Sequence, residues 1–167
     1  AVTKGGREVL LRAKEVAESE GFEVLHMYVD ALWIKKKGCS KPEHFTEVIS
    51  KINLHTGLTI NLDGIYRWVA FLPSKTDARI PIANRYFGVF QSGEIKVRGL
   101  EARRRDTPVW IAAVQKQMIA LLGQARTKAE LSDCIHRAFC FYYTALQELE
   151  DNQVPLEQLV INGKVSY

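Results

Sequence analysis

Arg85-Tyr86-Phe87-Gly88-Val89-Phe90-Gln91-Ser92-Gly93-Glu94-Ile95-Lys96-Val97-Arg98-Gly99-Leu100-Glu101-Ala102-Arg103-Arg104-Arg105-Asp106-Thr107-Pro108 is the stretch from which the rest of the chain is read. Its first half alternates as two strands about a Gln91-Ser92-Gly93 turn, which predicts a β-hairpin. Lys96 and Arg98, two residues apart, share one face of the second strand. Arg103, Arg104 and Arg105 follow, and Asp106-Thr107-Pro108 reads as a helix start, a capping residue followed by proline in the first turn. The segment sets five cations and an aromatic pair, expected to be exposed, at a strand-to-helix junction. Charge runs are commonly plain solvated surface. Here the clustering, with Glu101 the one acid between Lys96 and Arg105, argues instead for a polyphosphate partner.

The same stretch resembles the junction of palm and thumb in family-B DNA polymerases. In that family a Lys-x-Arg-Tyr type strand lies along the minor groove near the primer terminus. A Lys/Arg-Gly-Leu-Glu-x-x-Arg-Arg-Asp segment then leads into the helical thumb. Arg98-Gly99-Leu100-Glu101-Ala102-Arg103-Arg104-Arg105-Asp106 matches the second motif. Asn84-Arg85-Tyr86 matches a degraded first motif, with Ala83 and Asn84 where lysines usually stand. The resemblance implies that Lys96, Arg98, Arg103, Arg104 and Arg105 bind DNA phosphates without reading sequence. It implies Arg85 and Tyr86 as minor-groove neighbours, with Tyr86 as a packed strand residue the alternative.

Around this stretch the bulk properties are ordinary. The 167 residues suffice for one domain or two small ones, with 47% hydrophobic and 25% charged residues and a formal charge of +4. That charge favours polyanionic partners only mildly. Cys39, Cys134 and Cys140 lack a Cys-x-x-Cys spacing and read as reduced thiols of a cytosolic protein. No apolar run is long enough for a membrane span, and none is expected.

Upstream, Val9, Leu10, Ala13, Val16 and Ala17 at helical spacing predict a helix from about Arg7 to Glu20, stopped by Gly21. Thr3-Lys4-Gly5-Gly6-Arg7 resembles the segment opening the last palm helix, and a flexible start is its plain alternative. Phe22 to Ile34 reads as a hairpin bending near Tyr28 to Asp30. An aspartate there is a turn residue, an exposed or paired carboxylate, or a metal ligand, because burying it bare is costly. Ser40 and Glu43 read as a capping box before a helix buried through Phe45, Val48, Ile49 and Ile52. The four histidines show no metal-ligand spacing. Leu58–Asp63 and Ile65–Leu72 read as strands joined around Asp63-Gly64.

In the polymerase resemblance, His26-Met27-Tyr28-Val29-Asp30-Ala31 stands at the third catalytic motif, usually Tyr-x-Asp-Thr-Asp-Ser. Asp30 then occupies the position of a catalytic aspartate that ligates Mg2+, the cofactor of a complete polymerase. Tyr28 replaces the first aspartate and Ala31 the serine, the pattern of a divergent and inactivated sub-branch. Two-metal chemistry needs several carboxylates about ions roughly 3.5–4 Å apart, so one remaining carboxylate needs help from another segment.

Downstream, Trp110, Ala113, Val114, Met118 and Leu121 mark one face of a helix, and Thr127 with Glu130 a second capping box. Leu131, Cys134, Ile135, Ala138, Phe139, Tyr142, Ala145, Leu146 and Leu149 predict a long buried stripe, with the cysteines as apolar fillers. Val154-Pro155-Leu156-Glu157-Gln158-Leu159-Val160-Ile161 resembles the family's thumb ending. The expected fold is therefore α+β: an antiparallel palm sheet with packed helices over 1–100, the C-terminal part of the palm, and an α-helical thumb over 101–167.

The resemblance implies part of a DNA-directed DNA polymerase, a nucleotidyltransferase of replication or repair. Its partners would be primer-template DNA and the rest of the polymerase, as the same longer chain or a separate subunit. The family's Asp-x-x-Ser-Leu-Tyr-Pro and Lys-x-x-x-Asn-Ser-x-Tyr-Gly motifs do not occur here, so the chain alone is expected to be inactive. An excised domain and a split-gene product both fit, in a cytoplasmic, nucleoid-associated setting. The alternative is a catalytically decayed DNA-binding accessory or regulatory module.

Overall fold

The computed structural model describes residues 2–161 and 163; residues 162 and 164–167 of the expected thumb lie outside the described residues. The chain forms two compact units, Ala1–Ile65 and Tyr66–Tyr167. Among the described residues it is a mixed α/β fold with four α-helices and two antiparallel sheets. No helix among them is long and apolar enough to cross a membrane.

In the first unit, helix α1 (Val2–Ser19) buries Ala13 and Ala17 at an i, i+4 spacing, with Val16 packed beside them. It begins earlier than Arg7, so Gly5 and Gly6 are helical rather than a loose lead-in. It ends in a Schellman motif. Gly21 at φ 79 donates to the Glu18 carbonyl, and Phe22 N–H reaches the Ala17 carbonyl. Strands β1 (Glu23–Tyr28) and β2 (Ala31–Lys35) then pair as an antiparallel hairpin. Its tip is Val29–Asp30, as the sequence indicates.

Pro42–Phe45 form a single 3-10 turn leading into α2 (Thr46–Thr56). The expected Ser40–Glu43 box does not form. Pro42 opens the turn and leaves Lys41 at its cap, and His44 Nδ1 accepts from the Ser40 and Lys41 amides at 3.1 and 3.4 Å. Phe45, Val48 and Ile52 complete the core with Ala13, Ala17 and Phe22. The expected strand Leu58–Asp63 is also absent. Ile60 N–H donates to Asn53 Oδ1 (2.8 Å) and Leu58 N–H to Thr56 Oγ1 (3.3 Å). Side chains of the last turns of α2 thus take amides that a strand would offer to a neighbour.

In the second unit, β3 (Tyr66–Pro73), β4 (Pro81–Phe90) and β5 (Ile95–Arg98) form an antiparallel sheet with β4 in the centre. A 3-10 turn over Glu101–Arg103 leads to α3 (Val109–Gly123), and α4 (Lys128–Glu150) follows. The end of α3 is tied to the sheet. Trp68 Nε1 donates to the Ala125 carbonyl (3.1 Å) and Arg67 Nη2 to that of Gly123 (3.3 Å). At Gly123 a Cβ would stand 2.9 Å from Ile95 Cδ1, so the end of α3 lies close against β5. The sheet of the second unit and the end of α3 are therefore packed together.

Two helix-level expectations change. Asp106 does not cap α3: Pro108 holds the cap position, and the Asp106 carboxylate is taken by Arg104. On α4, Thr127 Oγ1 accepts from Glu130 N–H and Glu130 Oε2 from Arg126 N–H, so the second box forms with its reach extended by one residue. The long stripe narrows to Cys134, Ala138 and Ala145. Phe139, Tyr142 and Tyr143 are 52%, 40% and 59% exposed. Helices α3 and α4 are in contact, and what α4 buries is small while its bulky aromatics stay exposed. Cys134 is the apolar filler expected, whereas Cys140 is exposed; all three cysteines are free thiols.

Candidate nucleic-acid interface

The β4–β5 hairpin forms as read, with Tyr86 opposite Arg98, Phe87 opposite Val97 and Gly88 opposite Lys96. Gly93 at φ 92 closes the turn. Tyr86 and Arg98 therefore sit side by side, and Lys96 Nζ lies 5.9 Å from the centroid of the Phe90 ring. Tyr86 corrects the expectation of exposed aromatics, being only 4% exposed. As part of the central strand it is flanked by Phe71 on β3, 5.6 Å away ring to ring, and by Arg98 on β5. It is the packed strand residue of the two readings left open.

The arginines differ sharply in how they are held. Arg85 Nη2 donates to Glu101 Oε1 (2.9 Å) and its Nε to the Gly99 carbonyl (3.1 Å). Arg103 Nη1 donates to the Val97 carbonyl (2.9 Å), folding back onto the strand. Arg104 grips Asp106 through both Nε (2.9 Å) and Nη2 (2.6 Å). That pair lowers the Asp106 carboxyl below its usual range and raises the Arg104 guanidinium, the hydrogen bond being the first cause in each. Arg98 and Arg105 are exposed, and their side chains make no ion pair or hydrogen bond among the described residues. Solvated guanidinium groups of this kind are free to meet phosphate.

Glu101 is the residue that the charge count undervalued. Its Oε2 accepts from Gln115 Nε2 on α3 (3.1 Å), and Gln115 Oε1 accepts in turn from the Ala102 amide (2.5 Å). The carboxyl is held below the usual glutamate range, first by the Gln115 hydrogen bond, then by its own backbone amide and the charges of Arg85 and Arg104. A depressed folded value means a contribution that is complete above about pH 4.3, the ordinary glutamate range, and fades as pH falls through the lower folded value. The melting temperature of the wild-type chain should therefore fall more steeply below about pH 4 than that of Glu101→Gln. Parallel melting profiles would show that this carboxyl titrates alike in the folded and unfolded chain and adds no pH-dependent stability. The sequence carried no distinct signal for the network, because Gln115 opens the polar run Gln115-Lys116-Gln117 of α3.

Asp30 lies at the exposed tip of the β1–β2 hairpin, after Val29 at φ 47. Tyr28, 37% exposed, ends β1 opposite Ala31. Among the described residues no three His, Cys, Asp or Glu side chains converge as a metal site. A single carboxylate at a turn offers too few donors for a two-metal centre, so the residues of this chain do not by themselves fit the expected Mg2+.

The model of DNA polymerase family B matches residues 1–167. The DNA polymerase of Archaeoglobus fulgidus is 27% identical over 161 residues, covering 96% of this chain and 18% of that protein. The DNA polymerase alpha catalytic subunit of Sterkiella nova is 24% identical over 175 residues, covering 99% of this chain and 11% of its own length. In fold, the chain is similar to the solved family B DNA polymerase from the hyperthermophilic archaeon Pyrobaculum calidifontis. There the TM-score is 0.60 at 23% identity, over 96% of this chain and 18% of that one. The chain thus spans less than a fifth of the length of these relatives. Matched from its first residue to its last, the chain belongs to DNA polymerase family B.

Proposed function

We propose that this chain is the C-terminal palm (1–100) and the thumb (101–167) of a DNA-directed DNA polymerase, and that it binds primer-template DNA. The observation that carries the reading is the elbow between β5 and α3. Lys96, Arg98, Arg103, Arg104 and Arg105 converge there over ten residues, with Arg98 and Arg105 unpartnered among the described residues, in a chain matched throughout by the family. Cations so placed bind the phosphate backbone whatever the sequence. Family B polymerases generally use divalent metal ions. Asp30 would be one ligand of such a site, the remaining carboxylates coming from the rest of the polymerase, as the same longer chain or a partner subunit.

A second reading rests on Tyr28. A phenol in place of a carboxylate removes a negative charge beside Asp30 and favours a binding module whose catalysis has decayed. Primer extension by the complete polymerase, with Asp30→Asn as the variant, separates the two. In the working enzyme, losing a metal ligand should slow extension at least about a hundredfold, since metal stabilisation of the transferred charge is worth several kcal/mol. Extension indifferent to the change would remove Asp30 from the chemistry. Tight binding without extension in the wild type would establish the binding module.

A further inference from the structure

The proposal that the elbow binds DNA leaves open what aims its arginines. Three chain segments far apart in sequence meet at one side chain. Glu101 accepts from Arg85 on β4 through Oε1 and from Gln115 on α3 through Oε2, so both carboxylate oxygens are engaged. Gln115 returns a bond to the Ala102 amide, the first turn after the strand. Arg85 adds a bond to the carbonyl of Gly99, the residue at φ 64 where the chain leaves β5. The Arg85 and Glu101 side chains are 26% and 41% exposed, half withdrawn from water. Charge-assisted hydrogen bonds in such a setting fix geometry better than open surface pairs do.

We infer that Glu101 is the positioning residue of the elbow, a latch that ties β4 and α3 to the 99–103 turn and so aims Arg98, Arg103 and Arg105. Arg85 belongs to this latch rather than to the DNA-binding set. The edge of its guanidinium that would fork onto a phosphate, Nε with Nη2, is the edge already engaged by Gly99 and Glu101. The inference rests on the DNA-binding reading for its effect on affinity, but not for the latch itself.

Charge alone and positioning predict opposite signs. An acid inside a cationic cluster repels phosphate, so removing its charge should tighten DNA binding if that is all it does. The test is equilibrium binding of the 167-residue chain to a fluorescent primer-template duplex over a range of salt. The chains compared are wild type, Glu101→Gln, Arg85→Gln, the double variant, and Glu94→Gln as a charge control in the hairpin turn. The latch predicts that each single change at 101 or 85 weakens binding about tenfold, the scale of one charge-assisted hydrogen bond. The double variant should be no weaker than either, and the salt slope should stay at the wild-type value. Glu94→Gln should leave affinity unchanged or slightly tighter.

Glu101→Gln binding as tightly as wild type, or more tightly, overturns the inference. So does an additive double variant in which Arg85→Gln lowers the slope by about 0.9, the signature of a direct bond to phosphate. If Glu101→Gln fails to fold by circular dichroism, Gln115→Met takes its place, since it breaks the latch without changing charge. It too should weaken binding about tenfold, and unchanged affinity overturns the inference. If the wild-type chain shows no salt-dependent binding, the DNA reading alone has failed. The latch is then judged by hydrogen exchange at the Ala102 and Arg103 amides: faster exchange in Glu101→Gln supports it, and unchanged exchange overturns it.

Discussion

Gly99→Ala is expected to destabilise the unit formed by 66–167 by about 2–5 kcal/mol, combining a left-handed backbone cost of about 1–2 kcal/mol with an overpacking cost of about 1–3 kcal/mol. Gly99 sits at φ 64 where β5 turns into the elbow. A Cβ there would overlap the Asn84 carbonyl oxygen and stand 3.0 Å from Arg85 Cγ. The carbonyl belongs to the backbone of the central strand, so relief requires moving the sheet itself. Gly93 supplies the comparison: it has φ 92, but no atom within 4 Å of its would-be Cβ. Gly93→Ala should therefore show only the backbone cost, about 1–2 kcal/mol. Chemical denaturation of the two variants decides the matter. Equal destabilisation would mean that the close approach at Gly99 relaxes freely and that the elbow is not fixed by its packing on β4.

Replacing Arg103, Arg104 and Arg105 together by alanine is expected to flatten the salt dependence of duplex binding. For every phosphate that the variant no longer neutralises, the slope of log affinity against log salt falls by about 0.9. Three arginines do not imply three bound phosphates here. Arg104 has its fork closed by Asp106, whereas Arg105 is unpartnered among the described residues and Arg103 spends one N–H on the Val97 carbonyl. The expected change is thus nearer two phosphates, about 1.8 in slope, with affinity falling about fiftyfold at roughly 0.1 M salt. Because bonds to phosphate carry no sequence information, duplexes of unrelated sequence should weaken alike. An unchanged slope would remove the arginine run from the DNA-binding surface. A change nearer about 2.7 would mean that DNA displaces Asp106 from Arg104.

Sequence and structure agree most closely where the physics is local. The Gly21 stop, the hairpin tip at Val29–Asp30, the Gln91-Ser92-Gly93 turn and the Thr127 cap each depend on residues a few positions apart. So do the core stripes Ala13–Ala17 and Phe45–Val48–Ile52. Alternation, helical spacing and turn chemistry are written within such windows. The long Arg98–Asp106 motif was legible for a different reason: it resembles a known family, and the match over residues 1–167 bears that family out.

The failures have the opposite character. Leu58–Asp63 alternates well enough for a strand, yet Asn53 and Thr56 take its amides. The aromatics of α4 have core spacing, yet the helix buries only its small residues. Tyr86 looked exposed beside a charge cluster, and two flanking strands cover it. What the amino-acid sequence determined alone was the kind and order of most of the elements, the cations of the elbow and the family to which the chain belongs. The fate of each charge was decided by tertiary structure: Arg85, Glu101 and Gln115 lie 14 or more residues from one another, and only the folded chain brings their hydrogen-bonding atoms within reach.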